Sequence, residues 1–156
     1  MSGFNTATVA YAFKKAFYEA VRDLLGADQE TQYVLVALGT PSSMEPDDIV
    51  AFQGVTSDQA PVTMGNRGRE ETLTIEVQIS CYSGGDDEDI PLSRAYDLLR
   101  RVEQYARKTD PTIGGTVRQC FLVGHDSQGF TDPADLAKGR TADITARFQA
   151  QARISL

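Results

Sequence analysis

The chain has 156 residues, the length of one domain and short for two. Its 41% hydrophobic and 24% charged residues exclude a disordered or fibrous protein. The net charge of −7 argues against a dedicated binder of the DNA or RNA backbone, which needs a basic face. We expect no signal peptide, and the longest apolar run, residues 33–38, is far too short to span a membrane.

The first periodic segment, residues 8–25, predicts an amphipathic helix. Its apolar side chains recur at spacings of three and four and define one stripe: Val9, Phe13, Ala16, Phe17, Ala20, Val21, Leu24 and Leu25. Asn5, Thr6 or Thr8 is positioned to cap the start of this helix, and Gly26 to end it.

The next elements are a strand and a long arm. Residues 33–38 are short, apolar and bounded by Gly39 and Pro41, which predicts a strand covered on both faces. Turn-forming residues dominate the following segment, about residues 39–70, in which residues 49–55 are the one candidate for a short strand. So long a stretch with little regular structure is typical of a functional arm or binding loop.

The second half of the chain predicts an amphipathic strand, a helix and two more strands. Residues 72–81 alternate strictly between apolar and polar side chains. Pro91 suits the first turn of a helix that ends near Lys108, with one apolar stripe: Leu92, Ala95, Tyr96, Leu99, Val102 and Ala106. Residues 117–123 and 142–156 read as further strands, the last unusually long.

These elements predict an α+β fold in a single domain, residues 1–156. Half-wet strands with helices on the other face indicate a mostly antiparallel sheet of about four to five strands, packed by two helices. The long arm lies between the first strands. We find no internal repeat in the sequence.

Charge is distributed unevenly along the chain. Residues 28–89 hold thirteen acids and two bases, a net of −11, whereas residues 1–27 carry +1 and residues 90–156 carry +3. Such asymmetry allows copies of the chain to pair head to tail, and a solvated acidic surface is the other interpretation. The candidate subunit-interface residues are Glu45, Asp47, Asp48, Arg67, Arg69, Glu70, Arg147 and Arg153.

No motif indicates catalysis, a cofactor or a metal site, so we expect a protein that is not an enzyme. His125 is the single histidine, and a strand would place it and Cys120 on opposite faces. Cys81 and Cys120 lack metal-ligand spacing, and the sequence leaves open whether they form a disulfide. The acidic run 86–89 lacks EF-hand spacing, and the glycines of residues 65–69 lack the phosphate-loop pattern.

Three stretches resemble the tail terminator, or tail-completion, proteins of long-tailed phages and prophages of actinobacteria. They are Pro41-Ser42-Ser43-Met44-Glu45-Pro46-Asp47-Asp48-Ile49-Val50, Gly65-Asn66-Arg67-Gly68-Arg69-Glu70-Glu71-Thr72-Leu73 and Thr109-Asp110-Pro111-Thr112-Ile113-Gly114-Gly115-Thr116-Val117. With the flanking helices and strands, the resemblance covers about residues 8–154.

The resemblance implies a structural virion protein. Such proteins form a homohexameric ring on the head-proximal end of the tail tube of a siphophage, stop tube polymerisation and provide the surface for head–tail joining. The implied partners are the tail tube protein and a head-closure or neck protein. Genomic DNA passes through the lumen without specific binding, and no membrane is involved. Assembly in the host cytoplasm follows from the same resemblance.

Two alternatives stay open at this point. The first is another neck or tail component, either a head-closure protein or a tail-tube subunit. The second is a small enzyme, whose function Cys120→Ala and His125→Ala would abolish.

Overall fold

The computed structural model describes residues 6–43, 45–62, 67–128 and 138–155 and arranges them as one sheet with two helices on one of its faces. The elements are α1 (Ala10–Gly26), β1 (Leu35–Leu38), β2 (Asp48–Pro61), β3 (Arg69–Ser83), α2 (Asp89–Gln104), β4 (Gln119–Gln128) and β5 (Arg140–Ile154). The strand order is β1-β2-β3-β5-β4. Only β1 and β2 are parallel, so the α+β fold with a mostly antiparallel sheet is confirmed.

Helix α1 forms where its apolar stripe predicts it. Phe13 and Phe17 lie on that stripe and are completely buried, as is Val21. The ring of Phe17 packs 5.1 Å from that of Phe52 on β2 and 5.3 Å from that of Phe148 on β5, measured between centroids. Burying one such side chain contributes about 1.5–3 kcal/mol, so this aromatic cluster fixes α1 on the sheet.

The N-terminus of α1 is held by a buried carboxylate. Glu71 on β3 is 0% exposed, and its Oε1 accepts a hydrogen bond of 2.9 Å from the Val9 N–H. The hydroxyls of Thr8 and Ser57 donate to its Oε2. Thr8, a predicted cap, also accepts a bond of 3.2 Å from the Ala10 N–H. Of the other candidate caps, Asn5 lies outside the described residues.

The pKa of Glu71 reflects a balance between burial and hydrogen bonding. Burial raises the pKa of this carboxyl, but the bonds from Ser57, Thr8, the Val9 N–H and Gln59 together outweigh burial and lower the pKa below its ordinary value. Glu71 is therefore charged in the folded protein, and its charge complements the positive end of the α1 dipole.

Strand β1 is an edge strand, contrary to the prediction that it is covered on both faces. Of its four residues only Ala37 is buried, whereas Leu38 is 43% exposed. It has one neighbour, β2, with which it pairs from Leu35↔Ile49 to Leu38↔Phe52. Since β1 spans only four residues, the short connection of residues 39–47 is enough to return the chain for parallel pairing.

Strand β2 is longer than the predicted segment 49–55, and it occupies much of the expected arm at residues 39–70. Its first five residues are buried, but from Gly54 onward nearly all of its residues are exposed. Pairing with β3 continues to Pro61↔Arg69, beyond the end of β1. The sequence did not predict the distal part of β2, because a segment exposed to solvent on both faces needs no alternation of apolar residues.

Strands β3 and β5 form the centre of the sheet and match their predicted alternation. They pair without a break over fifteen residues, from Arg69↔Ile154 to Ser83↔Arg140. One face of each strand is buried under the helices: Leu73, Ile75, Val77, Ile79, Cys81, Ala142, Ile144, Ala146, Phe148, Ala150, Ala152 and Ile154. The great length of β5 therefore has a simple cause, since it follows β3 from end to end.

Helix α2 crosses β3 and β5 and continues as a π-helical turn at Tyr105–Thr109. Most of its predicted stripe is buried, but Tyr96 is 38% exposed and Leu98 is buried in its place. Within the described part of the chain, neither helix has the length and apolar character needed to cross a lipid bilayer.

The turn after α2 is stabilised by Asp110. Its carboxylate accepts hydrogen bonds from the N–H groups of Thr112, at 3.2 Å, and Gly114, at 2.8 Å. Between them lies Ile113, which is fully buried although its φ of +43° is uncommon for a branched residue. The turn thus inserts an apolar side chain into the core before β4 begins at Gln119, two residues later than predicted.

We predict that Glu71→Ala lowers the free energy of unfolding by about 2–3 kcal/mol, because the donors that Glu71 satisfies lose their acceptor. Glu76→Ala on the exposed face of the same strand is the matched control and should change it by less than about 0.5 kcal/mol. Urea denaturation of both variants measures the difference. Equal stabilities would contradict the capping role of Glu71.

The same carboxyl predicts a pH dependence. A folded-state pKa below the unfolded value means that the unfolded chain binds more protons, so this contribution is present above the ordinary carboxyl range and is lost as the pH falls through the lowered pKa. The stability gap between the native chain and Glu71→Ala should therefore narrow as urea titrations move from neutral to acidic pH. A constant gap would contradict this.

Candidate subunit interface

The predicted interface residue Asp48 takes part in an internal ion pair. It begins β2, is 8% exposed, and receives two hydrogen bonds from Arg94 on α2, from Nε at 3.2 Å and from NH2 at 2.6 Å. Arg94 also donates to the carbonyl oxygen of Tyr82 at the end of β3. The pKa of Arg94 is raised because it bonds the Asp48 carboxylate. This bidentate contact joins α2 to two strands.

Glu45 and Asp47 lie in the connection between β1 and β2 and line a groove. The groove has a volume of about 710 Å³ and runs between this connection, α2 and residues 30–34, which follow α1. Tyr33 on its wall is 68% exposed. Among the described residues, no salt bridge involves the carboxylate of Glu45 or Asp47, so both add negative charge to the groove.

Two other acids that line the groove, Glu30 and Asp97, are paired with one arginine. Arg101 contacts Glu30 at 3.0 Å and Asp97 at 2.8 Å, and it also bonds Asp28. The hydrogen bonds to Asp28 and Asp97 raise the pKa of Arg101 well above its ordinary range. These pairs hold Glu30 and Asp97 on the groove wall, whereas within the described residues Glu45 and Asp47 form no salt bridge.

Arg67 and Arg69 lie at the other end of the molecule. Arg67 is exposed, and Arg69 begins β3 opposite Pro61. The Val62 N–H donates a bond of 3.0 Å to the Gly68 carbonyl, which keeps the two chain segments together there. In the part of the chain that the structure describes, neither arginine forms a salt bridge.

Glu70 and Arg153 meet on the face of the sheet opposite the helices. They are cross-strand partners, with Arg153 Nε 3.8 Å from Glu70 Oε2, and Arg118 NH2 lies 2.6 Å from Glu70 Oε1. The pKa of Arg118 is raised mainly by its hydrogen bond to Glu70. Glu70 is thus engaged inside its own chain, although Arg118 and Arg153 remain about half exposed.

Arg147 lies further along the same face. Its NH1 is 3.0 Å from the carboxylate of Asp126 on β4, and Glu76 is its cross-strand partner on β3. Exposed pairs of this kind are worth at most about 1 kcal/mol, so they leave the arginine free to exchange partners. The candidate interface residues therefore form no single cluster but divide between the two ends of β2 and β3 and the polar face between them.

The two cysteines are buried and the histidine is exposed. Cys81 and Cys120 are free, buried and separated by β5. Burial raises the pKa of Cys120 to about 12 and raises that of Cys81 further, so neither is a ready nucleophile. His125 is exposed and lies 3.1 Å from the Tyr96 hydroxyl.

The predicted placement of His125 on the face opposite Cys120 is wrong. A bulge at Val123 adds one residue to β4, so Cys120 pairs with Ala150 and His125 with Ala146. Ala146 and Ala150 lie on one face of β5, and the two β4 side chains therefore share that face. No group of three or more potential metal-ligating residues occurs among the described residues.

Three residues with structural roles were not predicted from the sequence: Glu71, Arg94 and Arg118. Glu71 could have been predicted, because it lies two residues before Leu73 and four before Ile75 and so belongs to the same buried face of β3. No comparable pattern marks Arg94 or Arg118, whose partners are 46 and 48 residues away in the chain.

Comparison with known proteins identifies a fold relative. No family model and no curated protein sequence matches the chain. Among solved structures, it is similar to one chain of the virion of a native gene transfer agent particle, with a TM-score of 0.53 and 12% identity. The similarity covers 92% of this chain and 98% of the other. The two chains therefore share a fold over nearly their whole lengths.

The Asp48–Arg94 pair yields a stability prediction. Arg94→Ala should lower the free energy of unfolding by about 3 kcal/mol, because it leaves a buried carboxylate without its partner. Arg100→Ala on the same helix, which removes an exposed pair with Asp97, should cost less than about 1 kcal/mol. Thermal or urea denaturation compares the two, and similar losses would refute the assignment.

Proposed function

We propose that this chain is a structural protein of a phage-like virion, located at the head-proximal end of the tail tube. There it caps the tube as a ring, ends tube growth and presents the surface on which the filled head docks. The observation that carries the proposal is the fold shared with a chain of a gene transfer agent virion, which extends over both chains almost completely. The similarity of three sequence stretches to tail terminators supports the specific position.

The charges of the molecule suit a ring of identical subunits. A closed ring uses a heterologous interface, in which one surface of each copy contacts a different surface of the next. Glu45 and Asp47 lie beside the start of β2, and Arg67 and Arg69 lie near the end of β2 and the start of β3. None of these four residues forms a salt bridge within the described residues. Opposite charge at two separate surfaces favours contact between unlike surfaces and disfavours contact between like ones.

The proposed role is structural and not enzymatic. The chain would act by its shape and by its interfaces with copies of itself, with the tube protein and with a head-closure protein. A net charge of −7 suits a ring through which DNA passes without specific binding, because phosphates are repelled by acidic surfaces.

The test is an early stop codon in this reading frame of the phage or prophage that encodes it, followed by electron microscopy of the induced lysate. The proposal predicts overlong tubes without heads, beside filled heads without tails. Supplying the native chain from a plasmid should restore whole particles. Tails of normal length, or unchanged infectious particles, would contradict a terminator.

The same lysates separate the competing functions. A tube subunit would leave no tubes at all when removed, and a head-closure protein would leave tails of normal length beside leaking heads. Cys120→Ala with His125→Ala should leave assembly nearly unchanged. If this double variant is stable and fully expressed but no particles form, the result would favour a small enzyme.

A further inference from the structure

The groove beside β1 has both apolar and acidic walls. Pro46 and the partly buried Val34 line it together with an exposed aromatic ring, Tyr33. Glu45 and Asp47 line it as well, at exposed positions. Its other acids, Asp48, Glu30 and Asp97, have arginine partners, so among the described residues Glu45 and Asp47 are the carboxylates left for a partner.

The far end of the same molecule carries the complementary group. Beyond Phe52, strand β2 continues without β1 beside it, and almost all of its residues from Gly54 onward are exposed. We define the hairpin end as Val62, Arg67 and Arg69. It combines an exposed apolar side chain, 39% accessible in Val62, with two arginines that form no salt bridge within the described chain.

The two surfaces cannot meet within one chain. Asp48 pairs with Cys81 at one end of the β2–β3 ladder, and Pro61 pairs with Arg69 at the other. Thirteen residue steps separate Asp48 from Pro61, which corresponds to ~43 Å along an extended strand. Contact between the groove and the hairpin end therefore requires two molecules.

We propose that the hairpin end of one copy docks in the groove of the next. Arginine guanidinium groups bond carboxylates through parallel hydrogen bonds and stack on aromatic rings, so Arg67 and Arg69 are suited to Glu45, Asp47 and Tyr33. The contact is heterologous and repeats from copy to copy, which is the arrangement that a closed ring requires. This inference rests on the proposed function and names the surfaces that would form its ring.

Site-specific disulfide formation tests the contact in the full chain. Arg67→Cys and Glu45→Cys proteins are purified, mixed at high concentration, oxidised mildly and separated on a non-reducing gel. Docking predicts a mixed dimer that forms about tenfold faster, or more, than with the control pair Arg67→Cys and Lys15→Cys, because docking raises the effective concentration of the two thiols. Native Cys81 and Cys120 are buried and do not compete.

Charge reversal identifies the forces behind any dimer. Adding Asp47→Lys to the Glu45→Cys chain should slow the reaction, and adding Arg69→Glu to its Arg67→Cys partner should restore it. Equal rates for the 45–67 and 15–67 pairs, or no recovery in the double reversal, would overturn the proposal.

The outcome is independent of the test of the proposed function. Overlong tubes in the stop-codon lysate without a specific 45–67 disulfide would leave the terminator role intact and refute this interface. A specific disulfide together with tubes of normal length would support the interface and refute the terminator role.

Discussion

The unbroken pairing of β3 with β5 is the constraint on which the rest of the structure depends. Fifteen consecutive residue pairs align the buried face of one strand with that of the other, and every helix contact with the centre of the sheet uses that face. Because the side-chain period of a strand is two, a shift of one residue would move Phe148 and its neighbours to the solvent. The apolar alternation of both strands therefore fixes the register, and the register fixes where each end of the sheet lies.

The two ends of the sheet differ because its longest strands extend beyond the helices that pack on it. At one end, Glu71 and the N-terminus of α1 close the inner face, while β2 and β3 continue past β1 to the hairpin end. At the other end, Arg94 of α2 binds Asp48 and closes the face beside the groove. A buried carboxylate thus marks each limit of the core: Glu71 is held by the Val9 N–H and by hydroxyls, and Asp48 by an arginine. Such a construction leaves two distant surfaces of opposite charge.

The sequence predicted those parts of the fold in which one buried face requires apolar residues at regular spacing. The stripe of α1 and the alternation of β3 and β5 are visible because one face of each is apolar and the other polar. The distal part of β2 was not visible, since both of its faces are exposed to solvent and backbone pairing to β3 needs no apolar alternation. The bulge at Val123 leaves no trace in composition, and it reversed the expected orientation of His125.

The candidate site was predictable only in its chemistry. Acidic and basic residues at the two ends of the 39–70 segment stood out as possible interface groups, but their internal partners did not. The partners come from distant segments of the chain, and only the fold shows the pairing. Arg94 pairs with Asp48, Arg118 with Glu70, and Asp126 with Arg147. Of the predicted interface residues, those without a salt bridge within the described part of the chain are Glu45, Asp47, Arg67 and Arg69, and these four carry the proposed contact between subunits.

A cryo-electron microscopy map of the junction between head and tail, in particles assembled from the genome that encodes this chain, would test the proposed terminator role most directly. We expect one ring of copies at the head-proximal end of the tube, into whose density the five-stranded sheet and two helices fit. Density for the chain repeated along the whole tube, or no density for it in the particle, would contradict a terminator role.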